Sequence, residues 1–106
     1  MVGYSAATTT TGSRWTINGP SASLLIYRSS YSLGATTQTI NEGLTSYDAP
    51  ATCNADSAST AGNIAIIEGI LTASSDGTVV VRFASEVSGS AITAKKGSVL
   101  FYKKID

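Results

Sequence analysis

Histidine is missing from this chain of 106 residues, which removes the usual general base near neutral pH and the commonest metal ligand. Serines are abundant, yet none has a histidine, or a lysine in a recognisable acylation motif, to activate it as a nucleophile. Cys53 is the only cysteine, so no intrachain disulfide can hold the fold. Its Ala-Thr-Cys-Asn-Ala setting offers no basic neighbour to lower the thiol pKa. Asn54 and Asp56 carry oxygens but lack the spacing and ligand number of a calcium-binding EF-hand loop. Gly62, Gly69 and Gly77 fall at strand and turn positions with no helix to follow, so they do not read as a phosphate-cradling loop. The expectation is a non-enzymatic chain with no metal and no cofactor.

Charge is scarce and balanced, with seven basic and seven acidic side chains. Binding nucleic acid through phosphates needs a clustered basic surface that releases counterions. The only basic pairs, Lys95-Lys96 and Lys103-Lys104, read as solvated strand edges that discourage aggregation. Long apolar runs are lacking too: Leu24-Leu25-Ile26-Tyr27 and Val79-Val80-Val81 have strand length, far short of the ~20 residues of a membrane helix. The first residues have neither the basic start nor the apolar middle of a signal peptide, and there is no Asn-x-Ser/Thr acceptor. Neither nucleic acid nor membrane is expected as a partner, and assembly in a reducing cytosol is.

What the chain does have is Ser, Thr, Ala and Gly, with Val, Ile and Tyr among them, while strong helix formers are scarce. Those propensities favour strands. Its length suits one domain. Residues 1–13, with Ala6-Ala7, Thr8-Thr9-Thr10-Thr11 and Gly12, have little periodic apolar content and are expected as a flexible arm. Residues 14–106 are expected as a single β-sandwich domain. Trp15 and Ile17 alternate with polar residues up to the turn Asn18-Gly19-Pro20. Leu24 to Tyr27 reads as a strand buried on both faces and ending at Arg28-Ser29-Ser30, and Leu33 to Ile40 as a weaker strand ended by Asn41-Glu42-Gly43. Residues 46–62 read as one long connection, of a length that implies a crossing between sheets or a task of its own.

In the second half, Asn63 to Thr72 and Thr78 to Ala84 are expected as a hairpin across Ala73-Ser74-Ser75-Asp76-Gly77. Setting Thr72 opposite Thr78 brings Glu68 opposite Arg82, a pairing that a slip of one residue would break. Ala65, Ile67, Gly69, Leu71, Val79, Val81 and Phe83 then share one face. The other face is apolar as well, with Ile64, Ile66, Ile70 and Val80 around the charged pair, and the last strand, Ser98 to Ile105, adds Leu100 and Tyr102. An antiparallel sheet with one wet face should alternate apolar and polar residues. Two apolar faces therefore predict that one makes the core and the other meets a second subunit. A chain this short also buries only about 60–70% of its unfolded surface by itself. The predicted subunit interface is Ile64, Ile66, Glu68, Ile70, Val80, Arg82, Leu100 and Tyr102. Trp15, Tyr27, Phe83 and Phe101 read as core or subunit contacts, and Tyr31 and Tyr47, near loops, as candidates for an external contact.

The segments Gly62-Asn63-Ile64-Ala65-Ile66-Ile67-Glu68-Gly69-Ile70-Leu71, Asp76-Gly77-Thr78-Val79-Val80-Val81-Arg82-Phe83-Ala84 and Ala94-Lys95-Lys96-Gly97-Ser98-Val99-Leu100-Phe101-Tyr102 carry a resemblance. They are similar to the C-terminal modules of many tailed-phage minor structural and fibre proteins. In those modules a strand ending Glu-Gly precedes a Gly-Thr-led strand and a closing Gly-Ser strand. The resemblance covers residues 14–106 and is most specific over 62–105. It implies an antiparallel jelly-roll β-sandwich like that of the C1q and tumour-necrosis-factor families, assembled as a homotrimer, and it transfers no catalytic residue.

From size and analogy the resemblance implies a bacteriophage virion protein assembled in the host cytoplasm, a capsid decoration (cement) protein on the capsid exterior. Its partners would be two further copies of itself and the major capsid protein, with Val2, Tyr4, Thr8, Thr9, Thr10 and Thr11 of the arm touching the shell. The alternative is a trimeric tail or head fibre tip that binds a host-surface glycan or protein as its receptor. A cellular C1q-like or lectin domain is a third reading, disfavoured by the lack of a secretion signal and of disulfides.

Overall fold

A computed structural model describes residues 1–105, and among them it has seven strands and no helix. These are β1 (Val2–Ala6), β2 (Ser13–Asn18), β3 (Ala22–Gly34), β4 (Thr37–Leu44), β5 (Asn63–Ala73), β6 (Val80–Ser85) and β7 (Ile92–Ala94). One sheet has five strands in the order β4-β3-β5-β1-β7 and the other has two, β2-β6, with each pair of neighbours antiparallel. The all-β, antiparallel class expected from the propensities is what the chain forms.

The sheets meet through aromatic rings and hydroxyls. Trp15 of β2 is fully buried. It stacks on its cross-strand partner Phe83, with centroids 4.5 Å apart, and meets Tyr4 of β1 at 4.6 Å. Ser29 of β3 donates to the Trp15 carbonyl at 2.6 Å, and the Trp15 indole N–H donates to Ser13 at 3.0 Å. Val2, Tyr4, Trp15, Tyr31 and Ala65 form the core cluster, with Ile67 and Ile92 against it. Several buried side chains are polar, among them Thr11, Ser13, Ser29, Ser57 and Asn63, and every buried side-chain polar atom among the described residues has a partner. A Ser- and Thr-rich chain can bury these groups only because they are paired; an unmade hydrogen bond in the interior costs about 1–3 kcal/mol.

β3 is longer than the sequence suggests. It runs through Arg28-Ser29-Ser30 because Tyr27, Ser29 and Tyr31 keep pointing inward at every second position, and it turns into β4 across Ala35-Thr36. The connection over 45–62 holds no strand but lies along the outer edge of β2. Asp48 N–H donates to the Ile17 carbonyl and Asn54 N–H to the Ser13 carbonyl, each at 3.0 Å. Gly12 is required at this crossing, since a Cβ there would lie 1.8 Å from the Asn54 carbonyl oxygen.

Three expectations fail. Residues 1–13 are no free arm: Val2–Ala6 is a strand between β5 and β7, with Val2, Tyr4 and Ala6 buried. The threonine run after it is folded in as well. Thr11 is buried and its hydroxyl meets that of Ser90, while the Thr9 and Thr11 carbonyls accept from Ser57; only Thr8, Thr9 and Thr10 are exposed. The domain therefore includes these residues. Second, β5 and β6 are not a hairpin. β5 pairs with β3 and β1 while β6 pairs with β2, because the 74–79 connection carries the chain across to the other sheet, over Ser21 and Pro20. Third, Ser98 to Ile105 is not a strand. Val99 exchanges two backbone hydrogen bonds with Met1, and beyond Leu100 the chain leaves the sheet.

Candidate assembly interface

The register of β3 on β5 decides which side chains share the outer face of the five-stranded sheet. Directly opposed residues point the same way, and Leu24 faces Thr72, Ile26 faces Ile70, Arg28 faces Glu68 and Ser30 faces Ile66. Ile40 of β4 pairs with Ser30 and so joins this face, and Ile64 continues it along β5. Leu24, Ile26, Ile40, Ile64, Ile66 and Ile70 are all exposed, Ile40 at 55% and Ile70 at 62%. Single exposed aliphatics are normal on a protein surface, but six on one sheet face form a contiguous patch, the usual mark of an interaction site.

The charges on this face are grouped. Arg28 Nε donates to Glu68 Oε1 at 2.6 Å, a second guanidinium nitrogen meets the same carboxylate, and Nη1 reaches Glu42 at 3.5 Å. Hydrogen bonding to Glu68, then the negative charges of Glu68 and Glu42, raise the Arg28 pKa above its ordinary value. In solvent such a triplet contributes little to stability. Under a covering subunit it would matter more, because the guanidinium already has its carboxylates in bonding geometry and would not be buried alone.

Of the predicted interface, Ile64, Ile66, Glu68 and Ile70 do lie together on this face. The other four do not. Val80 and Arg82 belong to the two-stranded sheet, and Arg82 pairs with Asp48 at 3.2 Å instead of with Glu68. Glu68 finds Arg28, the closer cation once β3 extends past Tyr27. Leu100 and Tyr102 are outside any strand, and Leu100 lines an apolar cleft of ≈ 300 Å³ with Met1, Val2, Trp15, Val81 and Phe83. Arg28, Glu42, Leu24, Ile26 and Ile40 escape the sequence reading. Their signal is the series Leu24, Ile26, Arg28, which mirrors Ile66, Glu68, Ile70 as alternate apolar positions interrupted by one charge.

Tyr31 is not an external contact, and Tyr47 is half-buried. Tyr31 is buried, and that burial raises its pKa; the Tyr47 hydroxyl donates to the Pro20 carbonyl at 2.7 Å. Cys53 is half-buried with its thiol 3.7 Å from the Ala84 carbonyl, and burial raises its pKa too. Val2 and Tyr4, expected to touch a shell subunit, are core residues. Comparison of the chain with protein-family models, with characterised proteins and with solved structures finds no match.

Proposed function

We propose that this chain is a non-enzymatic structural protein of a tailed-phage virion, a homotrimer closed through the outer face of its five-stranded sheet and serving as capsid decoration (cement) on the outside of the shell. The observation that carries the assembly part is the six-residue apolar face around the Arg28 triplet. Surface area supports it. The single chain exposes 6564 Å², whereas a compact monomer of 10.8 kDa is expected to expose about 5,500 Å². The excess is what a subunit seen without its neighbours would show. A jelly roll has eight strands in two sheets; the two-stranded β2-β6 sheet here is shorter than that, and assembly is where further strands would be supplied.

The virion part rests on the resemblance of residues 62–105 to phage structural modules and on the small size of the domain. As cement, a trimer would bind several shell subunits at once, so that particles lacking it release DNA at lower temperature. Contact with the shell by a free arm is replaced in this reading by contact through exposed loops, the Thr8–Thr10 turn among them.

Two measurements test the proposal. Light scattering on the purified protein is expected to give three times the 10.8 kDa chain mass; a monomer overturns the interface. Quantitative mass spectrometry of purified particles, scaled to the major shell protein, is expected to give hundreds of copies. A few copies would move the protein to a fibre or tail tip, where a host-surface receptor becomes its partner, and none would overturn the virion reading.

A further inference from the structure

Alternation along β2 and β6 puts Arg14, Thr16, Arg82 and Ala84 on the face of the two-stranded sheet opposite the Trp15–Phe83 stack. With Asp48 of the 45–62 connection they line a cleft of ≈ 220 Å³. Arg14 lies opposite Ala84 and Thr16 opposite Arg82, so the two arginines are diagonal neighbours within reach of one another. Two cations so placed repel unless anions lie beside them.

Their charges are compensated unequally. Arg82 has Asp48 at 3.2 Å, whose carboxylate also accepts from Asn18 at 2.8 Å. Arg14 has no carboxylate partner among the described residues. Its Nη1 donates to the Pro50 and Ala51 carbonyls at 3.4 and 2.5 Å, which fixes the half-buried side chain and leaves Nε and Nη2 without a protein acceptor among the described residues. Glu86, on the other diagonal, accepts from the Gly12 N–H at 3.2 Å and forms no ion pair with Arg14. A guanidinium anchored on one side and open on the other is a preorganised fork for a carboxylate.

The surroundings narrow the ligand further. Arg14 and Arg82 against Asp48 leave the cleft one net positive charge, which suits a single negative charge better than a phosphate dianion. Its volume is below the roughly 300–1,000 Å³ of sites that enclose a whole small molecule, so it takes one acidic group on a larger body. Nor does it offer a ring face on which a sugar could stack. Phe83 borders the cleft but its ring is stacked on Trp15, and the Thr16 hydroxyl is engaged by that of Tyr27 at 3.1 Å.

We propose that this cleft takes the carboxylate of one Asp or Glu side chain on the surface of a partner protein. Arg14 Nε and Nη2 are the bidentate donors, Arg82 is the second cation and Asp48 is the wall that rejects doubly charged anions. The site shares no residue with the β3–β5 face, so it stands or falls apart from the subunit interface.

The test follows the arginine Nε–Hε signals of the nitrogen-15-labelled full-length protein by NMR at constant ionic strength. The probe is N-acetyl-aspartate N-methylamide, a side-chain carboxylate between blocked peptide groups. A saturable shift of Arg14 and Arg82 is expected, with none at Arg28 and none from the uncharged asparagine analogue. No saturable shift of Arg14 would overturn the site. Tighter binding of inorganic phosphate would overturn the single-charge ligand, and tighter binding of methyl glucuronide would replace the protein partner by an acidic sugar.

Arg14→Lys keeps the charge but loses the fork and is expected to weaken probe binding at least tenfold. Because Arg14 also holds the Pro50–Ala51 backbone, a second variant works in the opposite direction. Asp48→Asn keeps an acceptor for Asn18, and asparagine tolerates the φ of 60° at this position. It removes the negative wall and is expected to tighten probe binding several-fold. Unchanged or weaker binding would overturn the charge balance on which the proposal rests.

Discussion

The two faces of β5 are made from alternate residues of one strand and could hardly differ more. On the inward side Ala65 enters a core of aromatic rings and hydrogen-bonded hydroxyls and Ile67 packs against it, while Leu71, further along the strand, is half-buried. Ile64, Ile66 and Ile70 turn away from this core and stay exposed. Isoleucine side chains gain from being covered, at about 25 cal/mol per Å² of apolar surface, yet the fold leaves these three outside, while its interior combines Trp15, Tyr4 and Tyr31 with buried serine, threonine and asparagine. The inward face is settled within the chain, down to Gly69, where a Cβ would lie 2.2 Å from the Ile26 carbonyl and 2.5 Å from the Tyr27 side chain. The outward face is assembled with equal order but is left uncovered by the described residues.

That contrast can be broken from either side, and the outer face offers the larger effect. Ile66→Asp or Ile70→Asp leaves the folded monomer's interior unchanged, while assembly would have to bury an unpaired carboxylate. A cost of about 4 kcal/mol per site is a thousandfold loss of affinity. The expected result is one subunit's mass by light scattering with an unchanged strand signal by circular dichroism. A trimer persisting in both variants would place the subunit contact elsewhere.

The inner face answers differently. Trp15→Ala removes the ring that holds Tyr4, Phe83 and Ser13 together and should cost about 3–5 kcal/mol, much of the 5–15 kcal/mol typical of a whole domain. Urea unfolding is the measurement, and the midpoint should fall whether or not the protein is assembled. An unchanged midpoint would mean that the two sheets are held by something other than this aromatic contact.

The same contrast explains what could be read from the sequence. The apolar outer positions of β5 were legible because three isoleucines alternate around one glutamate, and the extension of β3 past Tyr27 was missed because Arg28-Ser29-Ser30 looked like an ending. In β1 the alternation of Val2, Tyr4 and Ala6 is present, but the threonines after it mask the pattern. They contribute by hydrogen bonds rather than apolar burial, as with Thr11 to Ser57 and Ser90, and no hydropathy pattern registers that. The hairpin expectation failed on topology. Asp76-Gly77 suits a turn between paired strands, but the same six-residue connection is long enough to change sheets, and local propensity cannot tell the two apart. Strand positions were readable in β2, β5 and the first part of β3, whereas the one pairing inferred from charge, Glu68 with Arg82, is replaced by Glu68 with Arg28 and Arg82 with Asp48.

The smallest effect belongs to pH, and it too separates the faces. Burial raises the pKa of Tyr31 above its ordinary 10.0 and that of Cys53 above 9.0, so the folded chain favours the protonated form of each. Their contribution to stability is complete below those ordinary values and is lost as pH rises through the higher folded ones. Melting temperature is therefore expected to hold from about pH 7 to 8.5 and to decline above about pH 9. Cys53→Ser should remove the part that begins near pH 9, and Tyr31→Phe the part that begins near pH 10. Both groups lie away from the isoleucine face, so Ile66→Asp should leave the shape of this decline unaltered. A melting curve whose alkaline limb moved with Ile66→Asp would show that the faces are coupled, and that the interior is tightened by whatever covers the outside.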